Sequence, residues 1–537
     1  FTFTPFGGYL TMSCNTVYET DIRSPSVPPE FVRALVSTVR GNRTVFQIDG
    51  RPVAMNPTWL RDHVHEMKGY KYWETDVRSG LDHFLTRQQP SGFLYEMIVP
   101  IDNVHTTFVR PDCLELDEKN GLAYVRLEIE ADVEYLTVEG VWQAWQASGD
   151  DDWMRAHLPR LVRALDYCFT DPKRWSPEYG LMKRAFTIDT WDYTYGVPDS
   201  NRCIEADTPM GIMHGDSTGL FWACNLLAEM LEYAGDAEQA SDFRGRAAAL
   251  RKHLDQYCWN GRFYTHMLHL SDIVVPGSPE ENRLSLSNAY ALNRGVLSLE
   301  QARSVIHEYQ ARREEHKATH FAEWFSIDPP YEKWMLHPPG HYINGGIAGF
   351  VAGELARGAF THGEEAYGAD ILRRVRDKVA ADGTLYFLMT ADGEDMGGGP
   401  RGWGAAAVFA AIAEGVAGVV DRSKLFESVE LAPRWPALGD REASVTLVYP
   451  AGGAFFAYEY RHDPAARRIA VNWRGSHTKR LHGRFLLPTD AHQPRVRADG
   501  EAVHASLLRV ADSPYADFAL ALPTPSSERT REIEVTY

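Results

Sequence analysis

The sequence predicts a mainly helical protein, a closed toroid of helical hairpins with a C-terminal β-sandwich. Two patterns indicate this fold. Apolar residues recur at helical spacing in paired runs through the middle of the chain, and alternation typical of strands replaces them from about residue 421 onward. Long aromatic and Pro/Gly-rich loops join the pairs, and ordered loops of that length are uncommon unless they are functional. In a toroid these loops would converge at one end and build a pocket.

The helical pairs share one plan. A first run breaks at Ser148-Gly149-Asp150, and a second run follows over residues 154–167. The runs 220–233 and 237–257 repeat this plan around Ala234-Gly235-Asp236. Gly is favoured just after a helix and Asp is favoured at the cap of the next one, so each break predicts a tight turn between two helices.

Three regions follow from these patterns. Residues 1–50 form an N-terminal mixed segment, residues 51–420 form the helical domain, and residues 421–537 form the β-sandwich. Alternating runs at 445–449 and 468–473 predict two of the strands of the sandwich.

Composition excludes several classes of partner. The chain has 537 residues and a formal net charge of -18, which argues against nucleic acid. No apolar run is long enough to span a bilayer, so no membrane partner is predicted. The six cysteines are scattered and form no C-x-x-C pair, which predicts free thiols and a cytoplasmic location. No cofactor is predicted, and the oligomeric state is left open.

The segment from Thr187 to Gly196 holds two carboxylates beside aromatic residues. Trp191 and Tyr193 flank Asp192. Aromatic neighbours shield a carboxyl from water and raise its pKa, so that it can act as a general acid. Asp189 is the competing candidate. The alternative is that either Asp caps the helical region that follows.

A second segment with candidate site residues is Trp59-Leu60-Arg61-Asp62-His63. Arg61 and Asp62 would bind sugar hydroxyls through paired hydrogen bonds. The alternative is an internal ion pair between them that only fixes a loop. His63 and Glu66 have the spacing of half a metal site, but no third ligand is evident, so no metal is predicted. His63 is instead placed beside a sugar hydroxyl, with His65 as the alternative.

These motifs resemble the six-hairpin glycosidases, a superfamily of (α/α)6 barrels that includes trehalases, processing α-glucosidases and α-L-rhamnosidases. Four segments carry the resemblance: Trp59-Leu60-Arg61-Asp62, Trp191-Asp192-Tyr193, His341-Tyr342-Ile343-Asn344-Gly345-Gly346 and Pro400-Arg401-Gly402-Trp403-Gly404-Ala405. The resemblance implies an (α/α)6 barrel in which Asp192 is the general acid. A related pattern of bile-acid β-glucosidases favours Asp189 instead.

The general base is the point at which the chain departs from the superfamily. The stretch Leu385-Tyr386-Phe387-Leu388-Met389-Thr390, where a carboxylate is expected, contains none. Glu394 is the candidate base of an inverting enzyme, and Glu323 is the alternative catalytic carboxylate. The sugar subsite is assigned to Trp59, Trp191, Trp324, His341 and Trp403, although aromatic residues more often fill cores.

The sequence therefore predicts an exo-acting, inverting glycoside hydrolase that removes a terminal sugar from a carbohydrate substrate. A glycoside phosphorylase is an alternative, because phosphate would replace the water and make a carboxylate base unnecessary. The sequence also allows an α-L-rhamnosidase-like enzyme or a non-catalytic carbohydrate-binding protein. The sugar and its linkage are set by loop geometry and not by these motifs.

Overall fold

Paired helices fill the middle of the chain in the computed structural model, which describes residues 18–104, 110–188, 203–271, 277–332, 335, 337–399, 401–522 and 529–537. The helices are α1 (Pro29–Gly41), α2 (Leu60–Tyr70), α3 (Ser79–Thr86), α4 (Val133–Ser148), α5 (Asp151–Thr170), α6 (His214–Ala234), α7 (Ala237–Tyr257), α8 (Ser287–Ala291), α9 (Leu299–His316), α10 (Gly349–Thr361), α11 (Glu365–Asp382) and α12 (Gly402–Ala410).

The predicted turns between helices are confirmed. Gly149 ends α4 with φ 67° and Gly235 ends α6 with φ 93°, a left-handed conformation that glycine adopts without a steric cost. The carboxylate of Asp150 accepts the N–H of Trp153 at 3.0 Å and so caps α5. Asp236 caps α7 in the same way.

Six of these helices, α2, α4, α6, α8, α10 and α12, are called the inner helices here. Each of them contacts the next, and α12 contacts α2, so the contacts among them close a circuit. The remaining helices pack outside them, as α5 and α7 do against α6. One continuous apolar cluster fills the space between the two layers.

One predicted helix begins later than expected. The spacing predicts a helix over 343–357, but α10 starts at Gly349. Gly345 has φ 105°, which is incompatible with an α-helix, and Ile347 and Ala348 pair with Leu388 and Met389 as short strands.

The strands are, in chain order, β1 (Asp21–Arg23), β2 (Thr44–Ile48), β3 (Arg51–Met55), β4 (Met97–Pro100), β5 (Leu114–Asp117), β6 (Leu122–Val125), β7 (Trp175–Ser176), β8 (Leu181–Met182), β9 (Arg184–Ala185), β10 (Met210–Met213), β11 (Met267–His269), β12 (Leu284–Ser285), β13 (Ile327–Asp328), β14 (Ile347–Ala348), β15 (Leu388–Met389), β16 (Val419–Asp421), β17 (Ser428–Leu431), β18 (Glu442–Tyr449), β19 (Ala454–Asp463), β20 (Arg468–Gly475), β21 (Arg480–Leu486), β22 (Arg495–Ala498), β23 (Glu501–Val503), β24 (Ala505–Val510), β25 (Ser513–Ala521) and β26 (Arg531–Thr536).

The C-terminal part is built from two sheets. One has the strand order β1-β18-β19-β20-β26-β22-β23, and the other has the order β16-β17-β21-β25-β24. Burial alternates along β20, as the period of two in its sequence predicts. Strand β1, from the N-terminal segment, pairs antiparallel with β18 and so extends the first sheet.

The two sheets lie against the C-terminal ends of the inner helices. Gln146, near the end of α4, donates to the carbonyl of Asp421 at 2.9 Å. Glu365, at the start of α11, accepts hydrogen bonds from Ser513 and Tyr515. The opposite end of the helices is therefore the end at which the long loops gather.

Candidate active site

Buried ion pairs join the first turns of three inner helices. Arg61, in the first turn of α2, donates to Asp132, the residue before α4, from Nε at 2.5 Å and from Nη2 at 2.7 Å. Arg61 also binds Glu130. Arg184 on β9 lies 3.2 Å from Glu130 and 3.4 Å from Asp216 in α6. All five side chains are buried, so this chain of charges holds the three helix starts side by side.

A neighbouring carboxyl, that of Glu96, has a raised pKa. Glu96 is buried, and its Oε1 accepts the N–H of Leu127 at 3.0 Å, while its Oε2 has no hydrogen-bond partner among the described residues. Burial and the nearby Glu130 raise the pKa of Glu96 to about 8. The backbone carbonyl of Glu96 accepts the N–H of Leu60, which fixes the start of α2.

Asp62 is partly exposed, unlike the buried carboxyl groups of Glu96, Glu130 and Asp132. It lies in the first turn of α2, where the charges of Arg61 and of Arg401, the residue before α12, act on it. Burial raises the pKa of Asp62 to about 6, against the opposing effect of Arg61 and Arg401. Such a carboxyl is ionised at neutral pH and can accept hydrogen bonds from sugar hydroxyls.

The start of α12 is joined to α2 by Glu66. Its Oε2 accepts Nδ2 of Asn56 at 3.1 Å, and it also accepts the backbone N–H of Gly402. A side chain at Gly402 would collide with Glu66, because an added Cβ would lie 2.2 Å from Oε2. Glycine is therefore required for α2 and α12 to approach this closely.

A second polar cluster surrounds Glu280, in the loop before α8. Its carboxylate accepts the Tyr331 hydroxyl at 2.8 Å and lies 3.0 Å from Nε2 of His269. Burial opposes ionisation, but the hydrogen bonds from His266, His269 and Tyr331 lower the pKa of Glu280 to about 2. Phe186 packs on His269 and Tyr331. The chain that leads to Asp189 therefore passes this cluster.

Three predicted site residues lie outside the described part of the chain. They are Asp189, Trp191 and Asp192. The described chain stops at Ile188, which is buried, two residues beyond Phe186. The assignment of a general acid to this segment therefore stays a prediction.

Arg61 and His63 have structural partners that correct their predicted roles. The guanidinium of Arg61 is bound by two carboxylates, so it forms the internal ion pair that is the alternative to sugar binding. His63 is buried: its Nδ1 accepts the N–H of Asn56 at 3.0 Å, and Nε2 lies 2.9 Å from the Tyr70 hydroxyl. Burial lowers the pKa of His63 to about 3, so the ring is neutral and holds the turn before α2.

The two candidates for the second catalytic carboxylate differ in their surroundings. Glu323 is fully buried and bound by Arg374 at 2.7 and 2.8 Å and by the Tyr367 hydroxyl at 2.6 Å. Because both partners belong to the outer helix α11, we reassign Glu323 to packing. Glu394 is exposed, in a loop whose Gly393 lies beside Phe321. Its role as a base stays a prediction.

The predicted sugar-binding aromatic residues also differ in their burial. Trp403 is buried, stacked on His65 with ring centroids 4.3 Å apart, and donates to the Tyr290 hydroxyl at 2.7 Å. Trp324 is also buried, with the Arg374 guanidinium over its ring. These two residues are core, which corrects their assignment as sugar platforms. Trp59 is half-buried at the cap of α2, and His341 is exposed, so both remain candidates.

Metal and membrane signals are absent from the described residues. No group of three or more His, Cys, Asp or Glu side chains is arranged to hold a metal ion there. Within the same ranges, no helix combines the length and the apolar character that crossing a bilayer requires.

Sequence reasoning missed the acids that lead into the first turn of α4. Glu128, Glu130, Asp132 and Glu134 alternate with apolar residues, and all four are buried. Charged side chains at every second position in an apolar stretch signal buried ion pairs, because burying an unpaired charge is costly. That alternation could have identified them.

Comparison with known proteins identifies the fold. No family model matches the chain, and no curated protein matches it. Among solved structures, the GH78 family rhamnosidase of Bacillus sp. GL1 matches 88% of this chain and 43% of its own, with 15% identity and a TM-score of 0.56. The α-L-rhamnosidase from Dictyoglumus thermophilum matches 97% of this chain and 51% of its own, with 10% identity and a TM-score of 0.57.

A smaller structure matches over its whole length. The GH63 mannosylglycerate hydrolase from Thermus thermophilus, in complex with Tris, is covered over 99% of its chain and 71% of this one, with 16% identity and a TM-score of 0.51. The present chain spans about half the length of the rhamnosidase chains. Its fold is that of glycoside hydrolases, and the resemblance to the six-hairpin glycosidases is confirmed at the level of the fold.

Proposed function

We propose that the protein is an exo-acting glycoside hydrolase on an (α/α)6 toroid with a C-terminal β-sandwich. The observation that supports this most directly is the row of carboxyl groups at the starts of α2, α4 and α6. Helix N-termini carry partial positive charge, so carboxylates placed there are stabilised and their positions are fixed. The fold shared with rhamnosidases agrees with this proposal.

The roles of the side chains follow from their exposure. Asp62 would accept hydrogen bonds from hydroxyls of the terminal sugar, and Trp59 would contact its apolar face. The ion pairs of Arg61 with Asp132 and Glu130 would hold the helical turn that carries Asp62. Asp192 remains the proposed general acid, with Asp189 as the alternative, and Glu394 remains the proposed base.

Hydrolysis by this arrangement needs one proton donor and one proton acceptor. The acid protonates the glycosidic oxygen as the bond to the anomeric carbon breaks. In the inverting mechanism the base takes a proton from water that attacks the opposite face, across a carboxyl separation of about 6.5–9.5 Å. The products are the free sugar, with inverted anomeric configuration, and the released alcohol.

The test is turnover on a panel of aryl glycosides and oligosaccharides that includes rhamnosides and mannosides, with product anomers followed by NMR. We expect release of a terminal sugar, abolished in Asp192→Asn with sugar binding retained. If Asp189→Asn abolishes turnover instead, the alternative acid is correct. No release by the folded protein would overturn the proposal, and strictly phosphate-dependent cleavage would replace it with a phosphorylase.

A further inference from the structure

The carboxyl group of Glu66 is buried between α2 and α12 and forms no ion pair with any of the described residues. Its Oε2 accepts a hydrogen bond from Asn56, and the backbone N–H of Gly402 approaches the same carboxyl group. Its Oε1 has no partner within the ranges that the structure describes. The charged and titratable groups around it are Asp62 and Tyr70 on α2 and Arg401 before α12.

Other buried glutamates near the inner helices have different surroundings. Glu354 on α10 is paired with Lys68, and Glu134 accepts two hydrogen bonds from Arg126, both at 3.0 Å. A buried carboxylate is tolerated when a cation binds it, and its desolvation is costly otherwise. Glu66 lacks such a partner, and Asp62 disfavours a second negative charge one helical turn away.

We propose that Glu66 is a neutral carboxylic acid that positions the first turn of α12, and with it Arg401, beside Asp62. The Asn56 amide donates to Oε2, whereas Oε1 has no partner among the described residues, so the proton belongs on Oε1. The contact with Gly402 leaves no room for a side chain, so the two helices have one fixed separation at this level.

The consequence concerns the charge of Asp62. With Glu66 neutral, the positive charge of Arg401 acts on Asp62 without competition from a second carboxylate on α2. Asp62 can then ionise near neutral pH and accept hydrogen bonds from a sugar. This last step depends on the proposed function, whereas the protonation of Glu66 does not.

Infrared spectroscopy of the folded protein tests the protonation state directly, because a protonated carboxyl and a carboxylate absorb at different frequencies. We expect Glu66→Gln to lose one protonated-carboxyl band at pH 7 and to retain its fold, since the amide preserves the acceptor on one side and a donor on the other. The matched control is Glu354→Gln, which removes an ion-paired carboxylate and should leave the protonated bands unchanged. Retention of every protonated band in Glu66→Gln would overturn the proposal.

Kinetics on a cleaved glycoside tests the positioning role. Glu66→Leu removes both acceptor contacts, so the start of α12 shifts, and we expect kcat/KM to fall about a hundredfold. Glu66→Gln should lose less than about tenfold, and its pH profile should keep the ionisation of Asp62. Equal losses in the two variants would overturn the positioning role. If Glu66→Gln loses the infrared band but the wild-type protein cleaves no glycoside, Glu66 is still a neutral acid. The proposed glycosidase function is then rejected.

Discussion

Arg61 and Asp132 lie 71 residues apart in the chain and form a two-point ion pair, Nε to Oδ2 and Nη2 to Oδ1, in the interior of the protein. The pair joins the first turn of α2 to the cap of α4. It also explains why an arginine that resembles a sugar-binding residue is a structural one.

Removing this arginine should destabilise the fold. In Arg61→Ala the buried carboxylate of Asp132 loses both hydrogen bonds from its cation and Glu130 keeps only Arg184, so we expect the free energy of unfolding to fall by about 3–5 kcal/mol. Urea unfolding followed by circular dichroism measures it. The control is Arg244→Ala, which breaks an exposed pair with Glu232 and should cost about 1 kcal/mol or less. Equal losses in the two variants would contradict the role of Arg61.

The pH dependence of turnover should report Asp62. Its pKa is raised to about 6, so it is ionised at pH 7 and becomes protonated below pH 6. A protonated Asp62 accepts fewer hydrogen bonds from sugar hydroxyls, so kcat/KM should fall as the pH drops through 6. In Asp62→Asn, kcat/KM should already be low at pH 7 and should not fall further as the pH drops through 6. The hypothesis is wrong if the variant keeps the same acid limb.

His63 should affect stability and not sugar binding. Its folded-state pKa, about 3, is lower than the usual value near 6.5, so the unfolded chain binds more protons between these values. The contribution of the neutral ring is complete above about pH 6.5 and is lost as the pH falls toward 3. His63→Phe leaves the Asn56 N–H unpaired and should cost about 1–3 kcal/mol at pH 7. Its unfolding free energy should vary less between pH 7 and pH 5 than that of the wild type. A higher KM in a variant of unchanged stability would restore His63 as a sugar ligand.

Glu323 should prove dispensable for the chemistry. Glu323→Gln weakens the contacts with Arg374 and Tyr367, and we expect a loss of about 1–3 kcal/mol in thermal or urea unfolding. The kcat of the folded fraction should stay close to that of the wild type. If kcat falls a thousandfold while stability is retained, Glu323 is the second catalytic carboxylate.

The sequence by itself determined several of the paired helices, the turns between them and some of the C-terminal strands. These features are local: Gly149 and Asp150 end one helix and cap the next, and the alternation of β20 selects its buried face. Motif order also predicted a fold that solved rhamnosidase structures share with this chain.

Tertiary structure alone decided which charges face one another and which aromatic residues are buried. The hydrogen-bond partners of Arg61, Glu323 and Trp403 lie 44 to 113 residues away in the chain, and no local pattern specifies them. The same residue letters can bind a sugar or fill a core, and the difference is set by the packing of distant helices. Whether a carboxyl holds its proton likewise depends on the cations and the solvent around it once the chain has folded.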